Sequence, residues 1–245
     1  MGRRRRRSDE DYQFEEQLPY EKTQYARVKP FKPKTESQAK AHAIVKENTL
    51  TFLGGPAGTG KTLIPCQLAL DELANNKIKK IIITRPNVEA GKSLGYLPGS
   101  AEEKLFHYLV PIYDNLEIFI GKEKLAQLLE EEVIQCVPIG FMRGRTLNDA
   151  FVIIDEAQNM TREQLRMVLT RIGFGSRAVV TYDTEQIDIR KSDSCVLDIP
   201  LFEGHNSIGY FKFGPNDVVR SEIVKTVLQV YMEAQNEEEV RGTII

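Results

Sequence analysis

The stretch Thr49 to Thr62, TLTFLGGPAGTGKT, constrains this chain more than any other. A short apolar run, Leu50 to Leu53, enters a glycine-rich turn that closes on Gly60, Lys61 and Thr62, matching G-x-x-x-x-G-K-[ST] from Gly55. That pattern demands a strand, a nest of backbone donors and a helix in immediate succession. Gly55, Gly58 and Gly60 allow positive φ and close approach of the backbone to an anion, so the loop Gly55, Pro56, Ala57, Gly58, Thr59 and Gly60 can aim successive N–H groups at phosphate oxygens. The positive end of the following helix adds to the attraction. Lys61 would reach the β- and γ-phosphates and the Thr62 hydroxyl would ligate Mg²⁺.

The 245 residues, 41% hydrophobic and 28% charged, suit one globular domain of about 200 residues with tails. Cys66, Cys136 and Cys195 are isolated, without a C-x-x-C pair, which argues against a disulfide framework or a zinc site and for a reducing compartment. No apolar run approaches the ~20 residues a membrane helix needs, so a soluble, cytoplasmic chain is expected. Net charge is only −2, and the five-arginine block Arg3 to Arg7 is answered at once by Asp9, Glu10 and Asp11. Residues 1–34, polar and broken by Pro19, Pro30 and Pro33, read as tail and linker. Residues 35–235 read as the domain and 236–245 as a polar tail.

Apolar runs at Ile81–Thr84, Val133–Val137, Phe151–Ile154, Ala178–Tyr182 and Ser207–Phe213 predict five more strands. Helical patterns over Thr35–Val45, Leu63–Ala74, Ala101–Gln127 (interrupted at Pro111 and Gly121), Arg162–Ile172 and Asp217–Ala234 lie between or after them. Pro65 should tighten the start of the helix after the loop. Strands of unbroken apolar residues alternating with helices mean an α/β fold, a mostly parallel sheet with helices on both faces.

Phosphoryl chemistry needs a second acidic group for the metal and a group to orient the attacking water. FVIIDEAQ supplies both at a strand end. Asp155 would hold Mg²⁺ and Glu156 would polarise water, which favours hydrolysis over transfer to an acceptor as in a small-molecule kinase. In TYDTEQID, Asp183 and Gln186 leave the next strand at the carboxyl edge of the sheet, where Gln186 would sense a γ-phosphate. His42, His107 and His205 fit neither metal spacing nor a triad. Tyr96, Phe106, Tyr108 and Tyr113 read as core packing with base stacking as the alternative.

ESQ at Gln38, GPAGTGKT, TRPNVEAGKSLGYLPGS from Thr84, MRGRTLNDAFVIIDEAQN from Met142, LTRIGFGS from Leu169 and DVVR ending at Arg220 together resemble the PhoH-like ATPases, relatives of superfamily 1 helicases. The resemblance covers about Thr35 to Ala234. It implies a RecA-like P-loop core, ATP and Mg²⁺ as ligands, and Gln38 as the amide that reads adenine. It further implies action on or near single-stranded RNA or DNA and a homo-oligomeric ring, a hexamer. In such a ring Arg171 or Arg220, with Arg177 third, would reach a neighbour's nucleotide. Arg85, Arg143 and Arg145 fall in family strings that would meet nucleic acid or a neighbouring subunit. Tyr182 stands where the family has glycine before its sensor Asp, and Ser221 where it has histidine. A nucleotide-gated scaffold acting on a protein partner is the alternative reading.

Overall fold

The computed structural model describes residues 28–86 and 101–219, with 223, 226, 227 and 230, the side chains of 101–108 excepted. In chain order the elements are α1 (Glu36–Glu47), β1 (Leu50–Gly54), α2 (Leu63–Ala74), β2 (Lys80–Thr84), α3 (Ala101–Ile120) and α4 (Lys122–Glu130). There follow β3 (Ile134–Cys136), β4 (Ala150–Ile154), α5 (Arg162–Leu169), β5 (Arg177–Tyr182) and β6 (Ile208–Lys212). The six strands form one sheet in the order β3-β2-β4-β5-β1-β6, and every pairing is parallel, where the sequence predicted a mostly parallel sheet.

Side-chain alternation along the strands divides the core into two layers. Leu53, Ile81, Ile83, Phe151, Ile153 and Val179 pack with residues of α1 to α4 on one face. Phe52, Ile82, Val152, Ile154, Ala178 and Val180 pack with α5 and short 3₁₀ turns on the other. Two buried faces explain why the strands read as unbroken apolar runs.

Local chemistry sets the element ends. Thr35 caps α1 by accepting from the Gln38 amide, and Thr161 with Gln164 forms a capping box on α5. Pro111 lies inside α3 and does not interrupt it, because Leu109, Ile112, Leu116 and Phe119 keep one buried face on both sides of the proline, and packing outweighs the lost hydrogen bond. Gly121, at φ +79°, does separate α3 from α4. Pro65 falls in the first turn of α2, between the Ile64 and Cys66 amides that donate four residues back to Gly60 O and Thr62 O, so it omits one bond from the start of that ladder without ending the helix. Helix α5 stops at Leu169, short of the predicted Ile172, because Ile172 pairs with Leu147 as an isolated bridge.

Two expectations are corrected at the ends of the domain. Part of the expected linker belongs to the core: Val28 and Phe31 pack against it, Phe31 stacks on His42 at 5.1 Å, and the Lys29 amide donates to Phe119 O. No helix starts at Asp217, where Pro215–Asp217 forms a 3₁₀ turn and Val218 is extended. Asp217 caps that turn through the Gly214 amide at 2.7 Å. The remainder of that expected helix, apart from helical residues 223, 226, 227 and 230, lies outside the described residues, as do Arg3 to Arg7, the loop from residue 87 to 100 and Tyr96. Among the described residues no helix is long and apolar enough to cross a membrane.

Candidate functional site

Strands β1, β5 and β4 are neighbours, and their carboxyl ends deliver three segments to one place. Gly54 is level with Tyr182, and Ile154 with Val180, so the next step along β4 sets Asp155 beside Thr181. The loop after β1 has the conformation its glycines predict: φ is +138° at Gly55, +86° at Gly58 and +91° at Gly60. A Cβ on Gly55 would sit 2.7 Å from Phe213 Cβ, so that glycine also permits close packing against the chain after β6. The loop is braced from within by Thr59 Oγ1 donating to Pro56 O at 3.0 Å. From outside, the Val219 amide donates to Gly58 O at 2.9 Å. The amides of Gly58, Gly60, Lys61 and Thr62 donate to no group among the described residues, which leaves them to an anion.

The expected metal pair is in contact. Thr62 Oγ1 donates to Asp155 Oδ1 at 2.9 Å, and Thr181 Oγ1 donates to the same oxygen. Asp155 is 2% exposed. These are hard oxygen donors, and the described residues hold no group of three or more His, Cys, Asp or Glu that would cage a metal alone. The set therefore fits Mg²⁺, which takes one or two protein oxygens and completes its shell with phosphate and water.

Lys61 Nζ lies 3.8 Å from Asp183 Oδ2, both side chains buried. At an effective dielectric near 20 the attraction is about 4 kcal/mol before desolvation is subtracted, so Lys61 is held at the site and not in solvent. Asp183 also accepts from Gln186 Nε2 at 2.8 Å and from the Glu185 amide at 3.0 Å, which fixes the segment expected to sense phosphate. Glu156 takes up left-handed backbone, φ 54° and ψ 40°, a costly conformation for a residue with a side chain and one that concentrates at functional sites. It lines a cavity of about 330 Å³ together with Lys61, Thr62, Gln38, Phe31 and Asn115.

Gln38 lies against the phosphate loop. Its Nε2 donates to Thr59 O at 2.9 Å and its Oε1 accepts from the Lys34 amide at 2.8 Å. One donor and one lone pair remain for a ligand.

Arg85 belongs with the carboxylates: Nη1 lies 4.0 Å from Asp155 Oδ2 and Nη2 3.6 Å from Glu156 Oε1. Its position after β2, adjacent to β4, brings it there, whereas its string alone pointed to nucleic acid or a neighbour. Arg145 donates to Gln135 Oε1 at 3.2 Å, and Arg143 is exposed.

The finger candidates differ. Arg171 O accepts from the Leu147 amide, ahead of β4, so Arg171 lies at the amino edge of the sheet, opposite its own phosphate loop. Arg177 is committed within the subunit, donating to Val45 O at 3.1 Å and Lys46 O at 2.8 Å and pairing with Glu72 at 3.0 Å. Burial raises the Glu72 pKa, and Arg177 opposes that shift. Arg220 lies outside the described residues.

His42 bonds Gln67 Oε1 at 3.1 Å, and the Tyr113 hydroxyl donates to Cys136 Sγ at 2.9 Å, both structural roles. The side chains of Phe106, His107 and Tyr108 lie outside the described residues.

Sequence reasoning passed over Thr181 and Gln158. Thr181 was legible as a polar residue in an apolar strand next to the β4 end. Gln158 stands in the DEAQ string, yet its spacing carried no chemistry of its own.

An all-parallel α/β sheet with a glycine-rich phosphate loop after β1 and an acidic pair after β4 defines a RecA-like P-loop nucleoside-triphosphate-binding protein. Within that class the chain belongs to the family described as PhoH-like protein, which matches residues 30–232. It is 44% identical over 220 residues to the PhoH-like protein of Bacillus subtilis, covering 89% of this chain and 69% of that one. Identity is 42% to the PhoH-like protein of Synechocystis, with 83% and 62% covered. Against Protein PhoH of Escherichia coli it is 35%, with 82% and 58% covered. The chain thus spans 58% to 69% of the length of these relatives. In fold it resembles the large terminase of a thermophilic bacteriophage, with a TM-score of 0.54 at 11% identity, covering 82% of this chain and 50% of that one. The ADP complex of the same terminase gives 0.50 at 12% identity, with the same coverage.

Proposed function

We propose that this chain binds ATP with Mg²⁺ and hydrolyses it, and that hydrolysis is coupled to single-stranded nucleic acid, RNA in the first place. The observation that carries the reading is the meeting of Lys61, Thr62 and Glu156 on one cavity at the carboxyl edge of a parallel sheet, with Asp155 joined to Thr62 by a hydrogen bond. The loop amides and Lys61 would hold the phosphates, and Lys61 would exchange Asp183 for the more highly charged triphosphate. Thr62 and Asp155 would hold Mg²⁺, which screens phosphate charge when bound. Glu156 would accept the proton of the attacking water, and Gln186 would meet the γ-phosphate. Gln38 would use its free donor and acceptor on the adenine edge.

Nucleic acid is supported by Phe141, 74% exposed, and exposed Arg143 in the segment that follows β3. Assembly into a head-to-tail ring, a hexamer by family resemblance, is supported by Arg171 at the edge opposite its own loop, from which it can serve only a neighbour's nucleotide.

The test is the release of phosphate from ATP with single-stranded RNA, single-stranded DNA or neither, compared in wild type, Lys61→Ala and Glu156→Gln. Lys61→Ala should lose hydrolysis, whereas Glu156→Gln should bind ATP and leave it uncleaved. Equal loss of binding in both variants would refute the assigned roles. A wild-type rate indifferent to either nucleic acid would refute the coupling and favour a protein partner.

A further inference from the structure

Among the described residues, the polar side chain tying the left-handed Glu156 to the segment after β5 is the Gln158 amide. It is fully buried, and its hydrogen bonds run in two directions. Nε2 donates to Glu156 Oε2 and to Gln186 O, the latter at 3.2 Å, while Oε1 accepts from the Asp183 amide at 3.0 Å. Both N–H groups are therefore used, one on the carboxylate and one on the sensor segment. The backbone of Gln158 is itself pinned. Its carbonyl accepts from Ser194 Oγ at 2.7 Å, and the next residue, Asn159, exchanges two bonds with Asp188, at 3.0 and 2.7 Å. The turn Ala157–Asn159 and residues 183–188 are thus one stitched unit, from which the Gln158 amide extends to a catalytic carboxylate.

We infer that Gln158 is a positioning residue for hydrolysis: it sets the Glu156 carboxylate in register with the Asp183–Gln186 segment. The inference rests on the hydrolytic reading of the site. Only an amide meets the requirement, because it must donate twice and accept once in a space without water-exposed surface. A carboxylate there keeps the acceptor for the Asp183 amide and loses both donors. A methionine fills similar length and loses all three bonds.

Gln158 does not itself line the cavity formed by the phosphate loop, and it reaches the Asp183–Gln186 segment through main-chain groups only, while the Asp183 carboxylate beside Lys61 is held by the Glu185 amide and Gln186 Nε2. Hydrolysis does call on this amide, because a general base contributes ~10²- to 10⁴-fold only when aligned with its water. Gln158→Glu and Gln158→Met should therefore lower kcat at least about tenfold while KM for ATP, and affinity for a non-hydrolysable ATP analogue, stay within about twofold.

The experiment measures kcat, KM, analogue affinity and the thermal midpoint for wild type and both variants. A fall in kcat with KM and affinity unchanged, in a variant that unfolds cooperatively, supports the role. Unchanged kcat, or affinity that falls in parallel with kcat, overturns it. Loss of cooperative unfolding in both variants also overturns it, since the amide would then serve the fold. Absence of hydrolysis in wild type would instead strike the hydrolytic reading itself, so the two failures are distinguishable.

Discussion

Replacing Gly54 by alanine should destabilise this protein only while Tyr182 is present. Gly54 is not among the positive-φ glycines, so alanine suits its backbone and the whole cost must be steric. A Cβ there would lie 2.4 Å from Tyr182 Cζ and 2.5 Å from its hydroxyl oxygen. The ring cannot simply swing away, because it is 2% exposed and its hydroxyl donates to Tyr210 Oη at 3.0 Å. Overpacking of this kind costs about 1–3 kcal/mol. At ~2–4 °C per kcal/mol for a domain of this size, a loss of about 2 kcal/mol lowers the thermal midpoint by roughly 4–8 °C. In a Tyr182→Ala background, where the ring is gone, Gly54→Ala should be close to neutral, giving a coupling of about 1–3 kcal/mol in the double-mutant cycle. Urea and thermal unfolding of the four proteins measure it. The same loss in both backgrounds, or none in either, would refute the reasoning.

Arg177→Ala should cost about 3–5 kcal/mol in urea unfolding, because it strands buried Glu72 as well as two carbonyls, and stability near wild type would contradict the committed geometry. Deleting residues 1–27 should leave basal hydrolysis intact, whereas deletion through residue 34 should impair it by removing Phe31 from the cavity wall; equal rates for the two truncations would refute this. Burial pushes the Cys136 thiol up to about 11 and the Cys195 thiol up to about 12. Both thiols should therefore resist alkylation at pH 8 until the chain unfolds. A thiol protonated in the folded state to higher pH than in the unfolded one stabilises below the unfolded value near 9, and that stability is lost as pH rises towards 11 to 12. Unfolding midpoints measured across that interval should fall. Gln38→Ala should erode the preference for ATP over other nucleoside triphosphates more than it weakens binding of inorganic triphosphate, and an unchanged preference would remove its adenine role.

The sheet was legible because burial on two faces writes each strand as an apolar run, and the phosphate loop because backbone chemistry dictates its glycines. Helix boundaries were less so. Pro111 reads as a breaker in isolation, yet the buried face formed by Leu109, Ile112, Leu116 and Phe119 overrides it. Val28 and Phe31 lay in a charged, proline-broken stretch whose local composition says nothing of the surface they meet. In the candidate site, Lys61 and Thr62 stand at fixed spacing in the glycine-rich string and Asp155 at the end of an apolar run, so all three could be named from the sequence. Arg85, Thr181 and Gln158 meet Asp155 or Glu156 through strand adjacency and register, which exist only once β2, β4 and β5 lie side by side.

The bond from the Val219 amide to Gly58 O joins the chain that follows β6 to the crown of the phosphate loop by main chain alone. No side-chain exchange can erase it, and only proline at 219 removes the donor. A displacement of Val219 would therefore reach the phosphate loop by this one bond as well as through β6.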